Sequence, residues 1–248
     1  MAQWNPHPEL WTIHHKKLDD FFSHKPVRLL SRKPQIWLDV DQQHILIFLP
    51  DHLSVIFAYI GEYNFFRSNY KATTCWHCEN TPRAIHHGFH KVYSGGLTKW
   101  QLFSTTDRNL LMSCRKLIIF LDALYRSVAP QVWTFTRSSL PPGLGLFNTV
   151  WTSFVVNLDG TKWHYDPEDV GLACLVYFGE WLGGSLALGN EEVLRVPVQQ
   201  FDVVFINSSK IYHAVDDIIG TCIALGFYST LVKNSFPIPP QEIFFTTI

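Results

Sequence analysis

Three side chains in the second half of the sequence have types and spacing suited to holding a metal ion. His164 and Asp166 sit two residues apart in the run Trp163-His164-Tyr165-Asp166, and His213 follows 47 residues after Asp166. Two imidazoles and one carboxylate cover one face of an octahedral ferrous ion and leave three positions open. Those positions suit a bidentate 2-oxo acid and dioxygen. The chemistry indicated is oxidation of an unactivated C–H bond, with the protein orienting the substrate and keeping water out. The triplet alone says little, because a chain with this many His and Asp contains a His-x-Asp about 0.6 times by chance. Three polar residues in ordinary hydrogen-bonding roles are the plain alternative.

What raises the triplet above chance is the set of elements around it. In extended backbone, residues two apart emerge on the same face. The pair follows an expected strand over Trp151 to Leu158 and the Asp159-Gly160 turn. Further strands are expected at Leu172 to Phe178, Ser185 to Leu188, Val193 to Pro197, Asp202 to Ile206, Lys210 to Val215 and Cys222 to Val232, with turns at Gly183-Gly184, Gly189-Asn190 and Ile219-Gly220. His213 therefore lies in a strand reached after four intervening ones, as a double-layered roll needs if its far edge is to return to the first strand. Short strands at this spacing predict an antiparallel sandwich or jelly roll.

Upstream, Leu18, Phe21 and Phe22 have helical spacing, and Ile36 to Val40, Ile45 to Leu49 and Ser54 to Ile60 look like strands with tight turns. Thr105-Thr106-Asp107 has the chemistry of an N-cap. After it, apolar residues repeat at three and four positions from Leu110 to Tyr125, which predicts one long helix ending at Pro130. Residues 1–145 are expected to pack on and support the core within a single domain, and residues 146–248 to form the roll that carries the metal. The fold class expected is mainly β with flanking helices, α+β.

At 248 residues and 47% hydrophobic side chains the chain can bury a sizeable core. No apolar run is long and uncharged enough to span a membrane, and no secretory signal is visible, so the expected location is intracellular, the nucleus included. The five scattered cysteines agree with a reducing compartment. Cys75 and Cys78, with His77, His86, His87 and His90 nearby, could supply four zinc ligands, or these histidines could be exposed or line a groove. The net charge of −1 hides an asymmetry of +7 over residues 66–137 against −7 over residues 150–248. A basic, aromatic-rich segment beside an acidic metal-bearing one suits an enzyme that modifies DNA or RNA, because phosphate attracts the first and iron the second. Two ordinary solvated faces that attract each other would show the same balance. A monomer is expected.

A set of short blocks carries a more specific likeness. They are Phe147-Asn148, Asn157, His164-Tyr165-Asp166, Gly171, Val176-Tyr177-Phe178-Gly179, Gly183-Gly184-Ser185-Leu186, Asp202-Val203-Val204-Phe205, His213-Ala214-Val215 and Gly220. In this order and spacing the chain resembles the 2-oxoglutarate and Fe(II)-dependent dioxygenases, most closely the TET and J-binding-protein type of oxygenase domain found in fungal proteins. The resemblance covers about a third of the chain. It implies a double-stranded β-helix core, Fe(II) held by His164, Asp166 and His213, 2-oxoglutarate as co-substrate with Asn157 at its site, and hydroxylation of a methylated base of the 5-methylcytosine or thymine type. Reaching such a base in a duplex implies flipping it into a pocket, for which the basic segment 66–137 could serve.

The chain departs from that pattern at one position. The family places an arginine, with a serine two residues later, on the last strand, where it grips the far carboxylate of 2-oxoglutarate. Here Cys222 and Ala224 stand there. Either Arg137, Arg195 or Lys162 reaches the carboxylate instead, or another co-substrate is used, or the function has decayed into a catalytically silent roll that binds nucleic acid or protein. An oxygenase acting on a small molecule or a protein side chain is a further alternative.

Overall fold

The computed structural model describes residues 17–38, 44–54, 84–88, 90–94, 97–101, 111–157, 160–189 and 192–230. In chain order the elements are helix α1 (residues 17–23), strands β1 (Val27–Leu29), β2 (Gln35–Leu38), β3 (His44–Leu49), β4 (Ala84–Gly88), β5 (His90–Ser94) and β6 (Leu97–Gln101), then helices α2 (Arg115–Val128) and α3 (Pro130–Ser139). There follow β7 (Ser153–Asn157), β8 (Thr161–His164), β9 (Ala173–Gly183), β10 (Leu186–Gly189), β11 (Val193–Val196), β12 (Val203–Ile206), β13 (Tyr212–Val215) and β14 (Ile218–Tyr228).

The last eight strands divide between two sheets, switching at every connection except the hairpin from β10 to β11. One sheet runs β2-β3-β12-β9-β14-β7-β4 and the other β1-β11-β10-β13-β8. Within them β12-β9-β14-β7 faces β11-β10-β13-β8, which is the double-stranded β-helix. Its spine is the antiparallel pair β9 and β14, in register from Ile218 opposite Gly183 to Phe227 opposite Cys174. The N-terminal strands extend this core: β3 joins β12, β1 lies parallel to β11, and β4 lies against β7.

Period-two alternation sorts the side chains into two interiors. Leu175 and Tyr177 of β9, Cys222 and Ala224 of β14, Val204 and Ile206 of β12, and Leu46 and Phe48 of β3 meet Leu186, Leu188, Leu194 and Val196 of the opposing sheet. The alternate residues of the same strands, among them Cys174, Val176, Phe205, Ile223, Leu225 and Phe227, face outward and are capped by α2. This is why these strands read as nearly continuous apolar runs, because both faces are covered. Helix α2 buries Leu117, Ile118, Leu121 and Tyr125 on one stripe, as expected from their spacing.

Several expected boundaries differ. Pro130 does not end the helical region: Ala129 breaks it, and Pro130 opens α3, where its missing N–H costs nothing. The expected N-cap at Thr105 to Asp107 lies outside the described residues, as do residues 55–60. Ser54 is not strand; its N–H and hydroxyl both bond to the Asp51 carbonyl in a turn. The turn expected at Ile219-Gly220 lies inside β14 instead. Residues 218–221 pair with 180–183, and Gly220 takes a φ of 118° that lets the backbone pass close to the Glu180 carbonyl. No helix among the described residues is long and apolar enough to cross a membrane.

Candidate metal centre

Strands β8 and β13 are antiparallel neighbours at the edge of the smaller sheet, and their register sets His164 directly opposite His213. The two rings stand 4.2 Å apart between centroids. His213 pairs with Leu188 of β10, so it shares the inward face with that residue. Asp166 comes just past the end of β8, where its own N–H donates to the Ser208 carbonyl at 2.9 Å. One residue-turn later the Asp169 N–H donates to the Asp166 carbonyl at 3.0 Å, and the Asp169 carboxylate accepts the Ser208 hydroxyl at 2.7 Å. The Asp166 carboxylate then lies 3.5 Å from His213 Nε2, and one ligand atom from each of His164, Asp166 and His213 falls within 4.8 Å of the others.

The protonation pattern suits a metal. His164 Nδ1 is 2.6 Å from the Lys162 carbonyl, and His213 Nδ1 is 3.2 Å from the Ile211 carbonyl. A carbonyl only accepts, so each Nδ1 carries a hydrogen and Nε2 is the ring nitrogen left for a metal. Backbone carbonyls thus orient both rings, as outer partners of metal ligands do. Burial lowers the His213 pKa to about 4, with the neighbouring His164 adding to the effect and the Asp166 carboxylate opposing it. The imidazole is therefore neutral at pH 7 and needs to lose no proton to bind. Two imidazoles and one carboxylate fit Fe(II) held on one face.

The remaining residues singled out in the sequence lie as follows. Asn157 ends β7 opposite Ala224, on the inward face of the larger sheet. Cys222 is buried on that same face of β14, two residues from Ala224. Arg137, on α3, donates to the Asn148 carbonyl, the Asn148 side-chain oxygen at 2.7 Å and the Thr149 carbonyl. Arg195 pairs with the Asp216 carboxylate; it lies opposite Ala187, and both share the side of Val193 that faces away from His213. Lys162 lies 3.7 Å from Asp19. Cys75, His77 and Cys78 lie outside the described residues, while His86 and His87 fall in β4 and His90 begins β5. Asp169 and Ser208, which fix the Asp166 loop, were not singled out in the sequence; the only signal was the acidic cluster Asp166, Glu168, Asp169. Burial, together with the nearby Asp166, holds the Asp169 carboxyl well above the usual range.

Comparison with known proteins places this geometry. No family model matches the chain. Over 118 residues the chain is 35% identical to the bifunctional helicase and thymine dioxygenase JBP2 of Trypanosoma brucei brucei (strain 927/4 GUTat10.1), a match that covers 45% of this chain and 11% of that protein. The chain thus spans about a tenth of the length of this relative. Its fold is similar to that of NgTET1 in complex with 5mC DNA, with a TM-score of 0.58 at 16% identity over 91% of both chains. A prolyl-4-hydroxylase of Pseudomonas putida gives a TM-score of 0.46 at 13% identity, covering 75% of this chain and 92% of that one. The comparisons thus give the fold, that of NgTET1, and a stretch of 118 residues similar in sequence to JBP2.

Proposed function

We propose that the protein is an Fe(II)- and 2-oxo-acid-dependent dioxygenase, with 2-oxoglutarate the co-substrate of its superfamily, that hydroxylates the methyl group of a methylated pyrimidine in DNA. The observation that carries the reading is the convergence of His164, Asp166 and His213 at the open edge of the smaller sheet, with both imidazoles set in the tautomer a metal needs. Iron with a 2-oxo acid and dioxygen supplies the oxidising power to hydroxylate an unactivated C–H bond.

The chain's own residues do the rest. The Lys162 and Ile211 carbonyls hold the two rings, and the Ser208 carbonyl and hydroxyl hold the loop that presents Asp166. The apolar interior behind His213, lined by Leu186, Leu188 and Val204, keeps bulk water from the side of the site opposite the opening. Two things support the substrate: JBP2 is named a thymine dioxygenase and NgTET1 is seen with 5mC DNA, and residues 66–137 carry a charge of +7 that suits phosphate. We propose further that the protein acts as a monomer inside the cell, where such DNA lies.

The test is anaerobic addition of Fe(II) and then 2-oxoglutarate, watching for the visible charge-transfer band of a chelated 2-oxo acid. The band is expected in the wild type and lost in the double variant His164→Ala, Asp166→Ala. Nucleosides from 5-methylcytosine- or thymine-containing DNA incubated with the loaded protein in air, resolved by mass, should then show the hydroxymethyl product. Iron binding with no such product on any methylated base would turn the substrate assignment down, and absence of iron binding would end the oxygenase reading.

A further inference from the structure

Helix α2 packs one stripe against the outer face of the larger sheet and turns the opposite stripe to solvent. Leu117, Ile118, Leu121 and Tyr125 are buried, while Arg115, Lys116, Ile119, Ala123 and Arg126 are exposed. At about 3.6 residues per turn the exposed positions fall within roughly 100° of arc, and from Arg115 to Arg126 they extend about 16 Å along the axis. Three of the five are cations and none is an acid.

These cations are not neutralised within the molecule. The ion pairs of Arg and Lys among the described residues are Arg28 with Glu192, Arg32 with Asp202, Lys162 with Asp19 and Arg195 with Asp216, and Arg115, Lys116 and Arg126 belong to none of them. The one acid of α2 is Asp122, a turn before Arg126. Its carboxylate accepts instead from the Trp133 indole N–H at 3.1 Å and the Val150 N–H at 2.9 Å.

Two of the three cations are also held in place. The Arg115 guanidinium lies over the Phe147 ring and that of Arg126 over the Trp133 ring, the guanidinium carbon 5.6 Å from the ring centroid in each case. Phe147 and Asn148 both take a positive φ, 50° and 63°, and Arg137 of α3 bonds to the Asn148 carbonyl and side chain. This strained corner sets the Phe147 ring beneath Arg115. A guanidinium laid on a ring keeps its planar fork of donors at its edge and loses less rotamer freedom when an anion takes it.

The exposed face of α2 points away from the candidate metal centre. Helix α2 caps the outer face of the larger sheet, while His213 lies on the inward face of the smaller one. A helix width plus a sheet spacing puts on the order of 20 Å between them, so these cations do not line a groove at the metal. Protein partners bury an apolar centre, and here Ile119 is the one large apolar side chain on offer. A phosphate backbone asks for cations at intervals along a line, two of them forked.

We infer that the exposed face of α2 is a second nucleic-acid contact, separate from the metal centre, in which Arg115, Lys116 and Arg126 grip the phosphate backbone without reading sequence. It goes beyond the oxygenase reading and does not require it, since no iron takes part. Such a contact keeps the protein on a duplex while the metal centre stays open to a target base.

The experiment measures fluorescence anisotropy of a labelled, unmethylated duplex with the metal-free full chain, over about 50 to 200 mM salt. The triple variant Arg115→Gln, Lys116→Gln, Arg126→Gln should lower the slope of log affinity against log salt by roughly three and weaken binding at least about tenfold, alike for duplexes of unrelated sequence. Lys116→Gln alone should lower the slope by about one. Arg126→Lys should keep the slope and lose about threefold in affinity, because the charge stays and the fork goes. Fe(II) binding, read by competition with a chelating dye, should stay as in the wild type throughout. A wild type that does not bind the duplex, or a triple variant with unchanged slope and affinity, makes this an ordinary solvated face and overturns the inference. Loss of Fe(II) binding together with duplex binding overturns the separation of the two sites. Loss of binding to poly-glutamate but not to the duplex assigns the face to an acidic protein and overturns it as well.

Discussion

The carboxylate of Asp202 is fully buried at the start of β12 and accepts four hydrogen bonds. Arg32 gives two, at 2.7 and 2.8 Å, and the backbone N–H groups of Asp51 and Gln199 give one each, at 2.8 and 2.7 Å. Because the Arg32 side chain is itself 30% exposed, removing the acid frees a charge that water can reach, but it orphans two N–H groups. Asp202→Ala is expected to lower unfolding free energy by about 3 kcal/mol in denaturant melts. A loss below about 1 kcal/mol would mean the surface side of the pair screens most of it. The residue scale is also where the sequence was most and least legible. His164 and Asp166 could be read as a pair because a spacing of two has one meaning in extended backbone, and His213 because the strands between could be counted. Asp202 stood inside a recognised block, yet nothing in the sequence pointed to Arg32, 170 residues earlier.

Helices α2 and α3 and the start of β9 are tied together at Gly171. The Tyr125 hydroxyl donates or accepts at Thr136 Oγ1, 3.2 Å away, and accepts from the Leu172 N–H at 2.8 Å. Gly171 has a φ of 76°, and a Cβ there would stand 2.0 Å from Thr136 Oγ1 and 2.6 Å from the Tyr125 hydroxyl. Gly171→Ala therefore combines a left-handed backbone with a clash against two packed side chains. A loss of about 2–4 kcal/mol is expected by thermal or chemical denaturation, and a neutral result would mean α3 can slide away from the sheet. This knot precedes β9 and follows the Asp166 loop, so the same variant should weaken Fe(II) binding, read by competition with a chelating dye. The strands of the roll were legible because both of their faces are buried and apolar runs are short. The break at Ala129 was not, because Pro130 is equally at home ending one helix and opening the next, and sequence spacing does not distinguish the two. Strand β8 was hidden for another reason: four residues ending at His164 carry too little pattern to separate from a loop.

At the scale of the whole molecule, charge and topology make separate statements. If the segment 66–137 meets DNA phosphates, raising salt from about 50 to about 200 mM should weaken DNA binding at least tenfold in fluorescence anisotropy, while binding of 2-oxoglutarate to the iron-loaded protein changes far less. A flat salt response would favour a small substrate. Fe(II) at about a hundred times its dissociation constant should raise the unfolding free energy by about 2.7 kcal/mol, since His164 and His213 come together only in the folded chain. The order of the sheets also sets a timetable for biosynthesis. Val27 pairs with Val193, 166 residues later, and β3 pairs with β12. At about 5–20 residues per second, the ribosome needs on the order of ten seconds or more after making β1 to deliver its neighbour. Over a similar interval Leu46, Ile47 and Phe48 of β3, fully buried once β12 arrives, travel on a nascent chain whose sheets do not yet exist, so chaperones that shield them for that time should raise the share of this protein that reaches its native state.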